Sequence, residues 1–152
     1  MAKATYLISN HALNRTIERL VLSQNIKLNK KQVARNLKKA RNIIIDDLNE
    51  TFAYSNSKDN IYLYLYTNLN KHGLCRKYVI STDTNNIVTV IDDIDIDLEA
   101  KKYNIIFDMK DKYIERKDKY SISKYVYATI NNYKYLFVID CTDDAICSFK
   151  MI

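Results

Sequence analysis

The sequence predicts an α+β fold in which two N-terminal helices pack on an antiparallel sheet. Apolar residues recur at helical spacing in residues 9–48, and they alternate with tyrosines from residue 61 onward. The last third repeats short strands between polar turns, which predicts a three-stranded meander that extends the sheet or forms a second one. Residues 1–97 and 98–152 are expected to share one domain, because 152 residues with 47% hydrophobic content suit a single core.

The first helix is predicted over residues 9–20. Ser9 and Asn10 are both good N-caps, and apolar residues follow at i, i+4, i+7 and i+8, which is typical of one buried face. This buried stripe consists of Leu13, Ile17, Leu20 and Val21. Residues 6–8 precede the helix as a short apolar lead-in, either a brief strand or a staple for the helix.

A second helix of about 20 residues is predicted after Asn29, which can cap it. Its buried stripe consists of Val33, Leu37, Ala40, Ile44 and Leu48. No acidic residue lies between Arg19 and Ile45. The basic residues of this stretch are Arg19, Lys27, Lys30, Lys31, Arg35, Lys38, Lys39 and Arg41. Two interpretations remain open: a surface for nucleic acid or an acidic partner, and a plain solvated helix face.

The next segment predicts a strand with aliphatic residues on one face and tyrosines on the other. The aliphatic residues are Ile61, Leu63 and Leu65, and the tyrosines are Tyr62, Tyr64 and Tyr66. Strands over 75–81 and 87–91 follow and complete an antiparallel meander. The tyrosine face either stacks bases, as on single-strand-binding sheets, or is half-buried against the helices.

Residues 92–99 contain five acids, which indicate a strand end followed by the first turn of a helix. Their spacing lacks the glycine and terminal glutamate of a calcium loop, so no metal site is predicted. Residues 103–109 fit either a strand or a helix, and residues 110–119 have the charge of an exposed segment. The final meander is predicted as strands over 125–130, 133–140 and 145–151.

Charge and cysteine content narrow the class of protein. A net charge of +6 permits attraction to nucleic acid or another acidic surface. The sequence shows neither a signal peptide pattern nor a membrane-spanning apolar run, so we expect a cytoplasmic protein with no membrane partner. Cys75, Cys141 and Cys147 lack the spacing of a zinc site or a disulfide scaffold, and we expect them to be reduced. No cofactor is predicted.

The first helix also carries a cluster with chemical potential. His11, Arg15 and Glu18 recur at i, i+4 and i+7, and Arg19 lies beside them. Arginine can bind a phosphate through two donors, and histidine titrates near neutrality, so such a group can hold a phosphate and move a proton. The alternative is a solvated helix face on which Glu18 pairs with the two arginines.

The string His11-Ala12-x-x-Arg15-x-x-Glu18-Arg19 resembles the opening of small bacterial and phage families grouped with RelE-like and BrnT-like toxins, which share the barnase-type fold. The likeness covers residues 8–20, continues to residue 92 only in the order of elements, and does not account for residues 98–152. It implies a metal-independent endoribonuclease, in which a general base takes the 2′-hydroxyl proton and cations stabilise the phosphorane. The catalytic residues implied are His11, Arg15, Glu18 and Arg19, with His72, Arg76 and Tyr78 on the sheet as partners.

Two functions remain open at this level. One is an RNA-directed protein, either a RelE-like ribonuclease toxin with a protein antitoxin or a descendant that only binds RNA. The other is a non-enzymatic inhibitor encoded by a phage or plasmid, similar to an anti-CRISPR protein, that binds a nucleoprotein or a host defence complex. The inhibitor would bind through the basic helices or through the acidic stretch 92–99. The binding residues predicted are Lys27, Lys30, Lys31, Arg35, Lys38, Lys39, Arg41, Tyr62, Tyr64 and Tyr66.

Overall fold

The computed structural model describes residues 6–17, 30–119 and 121–152, with the backbone alone for residues 30–33. These residues form ten strands and three helices. The strands are β1 Leu7–Ile8, β2 Thr51–Asn56, β3 Tyr62–Thr67, β4 Leu74–Ser81, β5 Asn86–Asp95, β6 Ile106–Phe107, β7 Tyr113–Lys117, β8 Ser123–Ile130, β9 Tyr133–Asp140 and β10 Ile146–Met151. The helices are α1 Asn10–Thr16, α2 Lys30–Asn49 and α3 Ile96–Lys102.

The strands form two sheets. Sheet A has the order β1-β5-β4-β3-β2-β6, and sheet B has the order β10-β9-β8-β7. Sheet B is antiparallel, whereas sheet A is mixed because β1 runs parallel to β5. The amide of Leu7 donates to the carbonyl of Asn85, and the amide of Ser9 donates to the carbonyl of Ile87, both at 3.1 Å. These two hydrogen bonds place the start of α1 beside the start of β5.

Sheet A is the middle of three layers. Successive side chains of a strand point to opposite faces, and β3 shows this alternation clearly. Leu65 packs in a cluster with Ala40 of α2, on the helix side of the sheet. Tyr64 and Tyr66 belong to the other cluster, which includes Phe137 of sheet B. Helices α1 and α2 therefore cover one face of sheet A, and sheet B and α3 cover the other.

The two N-terminal helices agree with their sequence patterns where they are described. The Ser9 hydroxyl accepts a hydrogen bond from the Ala12 amide at 3.1 Å, which caps α1 as predicted. The stripe of α2 packs on sheet A as predicted through Leu37, Ala40, Ile44 and Leu48. Residues 18–29 and the side chain of Val33 lie outside the described residues.

The predicted arrangement of helices and sheet is wrong. The first sheet is mixed and six-stranded rather than an antiparallel meander, a third helix follows β5, and the C-terminal sheet has four strands instead of three. Strands β1 and β6 have only two residues each, too few to produce a period in the sequence. Strand β7 lies at the edge of sheet B, where charged residues are common, and its sequence therefore looked like an exposed segment.

The acidic stretch before α3 acts largely as predicted. The Asp95 carboxylate accepts hydrogen bonds from the amides of Asp97 and Leu98, and so caps the helix. Glu99, in the first turn, is buried and accepts a hydrogen bond from the ammonium of Lys77 on β4 at 3.0 Å. This ion pair attaches α3 to sheet A.

Candidate nucleic-acid interface

Two side chains of the predicted catalytic cluster on the first helix, His11 and Arg15, are among the described residues. The Nε atom of Arg15 donates to Nε2 of His11 at 3.5 Å, with His11 exposed and Arg15 half-buried. Glu18 and Arg19 lie outside the described residues.

The second histidine lies at the other end of sheet A. His72 precedes Gly73, whose carbonyl accepts from the amide of Ile96 just after β5, whereas Ser9 bonds to Ile87 at the start of β5. The eight residue-to-residue steps from Ile87 to Asp95 span about 26 Å at the rise of an extended strand. The structure therefore does not bring the two imidazoles together.

Arg76 belongs to a polar cluster that joins the end of α2 to β4. Its guanidinium donates to Asp47 at 2.5 Å and to Asp92 at 3.2 Å. The hydroxyl of Tyr78 and the amide of Asn68 donate to the same Asp47 carboxylate. Burial lowers the pKa of Arg76, but the two carboxylates outweigh it and the pKa is raised. These hydrogen bonds connect α2 with β4 and β5, which is typical of a cluster that stabilises the fold.

Burial also affects the tyrosine of this cluster. It raises the pKa of Tyr78, and the neighbouring carboxylate of Asp47 raises it further, so the phenol stays protonated. A polar cleft of about 460 Å³ opens beside Arg76 and is bordered by Asn70 and Asp93. His72 is not among the residues that line it, so the two predicted sheet partners do not share this cleft.

The predicted base-stacking tyrosines of β3 are mostly inside the protein. Tyr66 is fully buried, shares a hydrogen bond of 2.7 Å with the Ser55 hydroxyl and donates to Glu99 at 2.9 Å. The Lys77 ammonium lies 3.9 Å from the ring centroid of Tyr64, and burial chiefly raises the pKa of Tyr64 to about 12. Neither ring has a face open to a base, and only Tyr62 is exposed, at 38%.

The basic residues of α2 are where the sequence placed them. Arg35, Lys38, Lys39 and Arg41 are all exposed. None of the four forms an ion pair with any residue that the structure describes. Lys27 and the side chains of Lys30 and Lys31 lie outside the description. These four exposed side chains together define the surface named the α2 face.

Among the residues that the structure describes, the most exposed aromatic surface lies on sheet B. Its outer face, which points away from sheet A, is defined by Ile114, Arg116, Tyr125, Tyr127, Lys134, Leu136, Val138 and Lys150. Tyr125 and Tyr127 are 42% and 38% exposed, and Ile114 is 64% exposed. The guanidinium carbon of Arg116 lies 5.8 Å from the ring centroid of Tyr127.

Strand pairing fixes the neighbours of each tyrosine on the outer face. Tyr127 lies between Ile114 of β7 and Leu136 of β9, and Lys150 lies beyond Leu136 on β10. Tyr125 likewise lies between Arg116 and Val138. Sequence reasoning missed this surface, although Tyr125 and Tyr127 alternate with Val126 and Ala128 in the way that the β3 tyrosines alternate with aliphatics.

A larger cleft, of about 890 Å³, lies between α2, β1 and the segment 108–111. Its floor is apolar, with Leu48 and Leu65, and its rim carries charges of both signs, including Arg41 and Asp111.

Over the described ranges no three metal-ligating side chains come together. All three cysteines are free, and burial raises the pKa of Cys75.

Of the three helices described, none is long and apolar enough to span a membrane. No family model, no curated protein and no solved structure matches this chain. The likeness to RelE-like and BrnT-like families therefore stays a prediction, as do the cytoplasmic location and the antitoxin and host defence partners.

Proposed function

We propose that this protein binds single-stranded nucleic acid on the outer face of sheet B and does not cleave it. The observation that supports this function is the pair of exposed rings, Tyr125 and Tyr127, among the cations Arg116, Lys134 and Lys150. This is the binding-only form of the RNA-directed function predicted from the sequence, at a different surface.

The spacing of the two tyrosines suits successive bases. Residues two apart on one strand lie about 7 Å from each other on the same face of a sheet. Aromatic rings on an exposed sheet stack unpaired bases, and each stacked base contributes about 1–3 kcal/mol. Ile114 and Leu136 flank Tyr127 and supply apolar surface at the edges of a stacked base.

The charges of the outer face favour a polyanion over a neutral apolar partner. Three cations lie on it, and one carboxylate, Asp140, lies at the end of β9 on the same side. Asp140 already accepts a hydrogen bond from the Thr142 amide at 2.7 Å. A strand whose bases stack on the tyrosines would have its phosphates within reach of Arg116, Lys134 and Lys150.

The positions of the predicted catalytic residues support binding without cleavage. His11 and His72 lie beside opposite ends of β5, and Arg76 is held by two carboxylates. Metal-independent cleavage needs an acid and a base on either side of one phosphate. The described residues offer no such pair, so we expect RNA to remain intact on binding.

Fluorescence anisotropy with labelled oligouridine and oligodeoxythymidine tests the proposal. Replacing both tyrosines, in Tyr125→Ala/Tyr127→Ala, should weaken binding about tenfold or more for each lost ring. Tyr62→Ala is the matched control, because Tyr62 is as exposed as Tyr127 but lies on sheet A. The proposal fails if wild-type protein binds neither oligonucleotide, or if the control loses as much affinity as the double variant.

Total RNA incubated with the protein in EDTA tests the second half of the proposal. We expect the RNA to stay intact over hours. Degradation by wild-type protein that is abolished in His11→Ala would support the ribonuclease prediction instead and overturn binding without cleavage.

A further inference from the structure

We propose that the α2 face is a second nucleic-acid surface, which contacts the phosphates of a duplex while sheet B holds an unpaired strand. The protein would then connect two segments of nucleic acid. The duplex site follows from α2 alone, and the connection of two segments rests on the function proposed for sheet B.

The charges of α2 are unusual for a solvated helix. From Lys30 to Ile45 the sequence has six basic residues and no acidic one. Solvated faces commonly place a glutamate four residues before a lysine, whereas here Arg35 and Lys39 are like charges at that spacing. Such an arrangement repels itself until an anion lies across it.

The nearest acids of α2 do not relieve this repulsion. Asp46 and Asp47 lie at the C-terminal end of the helix, and Asp47 is engaged with Arg76 and Tyr78. Among the described residues no carboxylate reaches Arg35, Lys38 or Lys39. The charge of the α2 face is therefore available to an external polyanion.

The chemistry of the α2 face favours the phosphate backbone over bases. Its exposed residues between positions 34 and 46 include no aromatic side chain. Lysine and arginine without aromatic neighbours contact phosphates in a way that does not depend on sequence or on unpaired bases. The phosphates of a duplex can pair with these cations, whereas the stacking tyrosines of sheet B require an unpaired strand.

The three-layer fold separates the two surfaces. Ala40 and Ile44 place α2 on one face of sheet A, and Phe137 places sheet B on the other. With layers about 10 Å apart, the axis of α2 lies roughly 20 Å from sheet B, and the two surfaces point in opposite directions. An oligonucleotide of about six nucleotides, near the lower end of single-strand site sizes, is too short to reach around the protein to both.

Anisotropy with a blunt duplex and with a short single strand tests the duplex site. The variant Arg35→Gln/Lys38→Gln/Lys39→Gln should lose tenfold or more in duplex affinity and less than threefold in single-strand affinity. If three phosphate contacts are lost, the slope of log affinity against log salt should fall in magnitude by about 2.7 on B-form DNA. Tyr125→Ala/Tyr127→Ala should show the opposite pattern, with duplex affinity nearly unchanged.

The charge-matched control is Lys58→Gln/Lys71→Gln/Lys101→Gln, which removes three exposed lysines from other elements. We expect this control to keep duplex affinity within about threefold, because it leaves the phosphate contacts of α2 in place. If the control loses as much duplex affinity as the α2 variant, duplex binding depends on net charge and the α2 site is overturned. Absence of duplex binding at low salt would overturn it as well.

Energy transfer between a donor-labelled short single strand and an acceptor-labelled duplex tests whether one molecule holds both. We expect transfer with wild-type protein at equimolar ratio and its loss in either surface variant. Duplex binding that persists without single-strand binding would refute the proposed function while leaving the α2 site standing. If each ligand binds alone but displaces the other, the connection of two segments is refuted.

Discussion

Strands β3 and β8 have the same alternating pattern, but their tyrosines differ in exposure. In each, tyrosines alternate with aliphatic residues, yet Tyr64 and Tyr66 of β3 are buried while Tyr125 and Tyr127 of β8 are exposed. The difference comes from the layers. Strand β3 lies in the middle layer, where both faces are covered, and β8 lies in an outer layer, where one face meets solvent. An alternating pattern defines two faces but does not say what covers either.

The largest expected contrast is in stability. Tyr66→Ala should lower the free energy of unfolding by about 4 kcal/mol, because it leaves a cavity between the two sheets. Tyr127→Ala should lower it by less than about 1 kcal/mol, since the ring is partly solvated. Urea unfolding followed by circular dichroism measures both values. Similar losses in the two variants would contradict the assignment of β3 to the middle layer.

A second contrast compares a buried ion pair with an exposed one. Glu99→Gln should cost about 3 kcal/mol of unfolding free energy, because it leaves the buried ammonium of Lys77 without its carboxylate. Glu115→Gln on sheet B should cost less than about 1 kcal/mol, since Lys124 keeps Asp144 at 2.7 Å. Equal costs in the same unfolding assay would mean that the Lys77–Glu99 pair is solvated.

The pKa of Tyr64, raised to about 12, predicts a smaller effect that depends on pH. The folded protein holds this proton more tightly than the unfolded chain, whose tyrosine pKa is about 10. The contribution of this proton to the free energy of unfolding is complete below pH 10 and is lost as the pH rises from about 10 to about 12. Between these two pH values the free energy of unfolding of Tyr64→Phe should therefore fall less than that of wild type. Unfolding curves of the two proteins at each pH measure the difference. A Tyr64→Phe curve that falls as steeply as that of wild type over this window would contradict the raised pKa of Tyr64.

The smallest expected change concerns the hydroxyl of Tyr125, which stacking does not use. Tyr125→Phe should alter single-strand affinity less than about twofold, because stacking uses the face of the ring and not the hydroxyl. Anisotropy with the same oligonucleotides measures it. A tenfold loss would show that the hydroxyl donates or accepts a hydrogen bond in the complex, and stacking alone would no longer describe the surface.

Local patterns predicted much of the secondary structure and little of the site. Long periodic segments such as α2 were predicted well, because their apolar stripe is a property of the helix itself. Strand β2 was missed although Phe52 and Tyr54 alternate with Ala53 and Ser55, a signal that was present in the sequence. The tyrosines that can stack bases lie on β8 and not on the predicted strand β3. Local patterns could not show this, because the exposure of a strand depends on which other layers pack against it.

The sequence by itself determined the two faces of each strand and helix, the basic side of α2 and the cap of α3, since these follow from spacing along one segment. Only the tertiary structure decided that β1 pairs in parallel with β5, that the two histidines are held apart, and that sheet B covers the tyrosines of sheet A. The physical reason is that these outcomes depend on contacts between residues distant in the chain, and side-chain spacing within one segment contains no information about them.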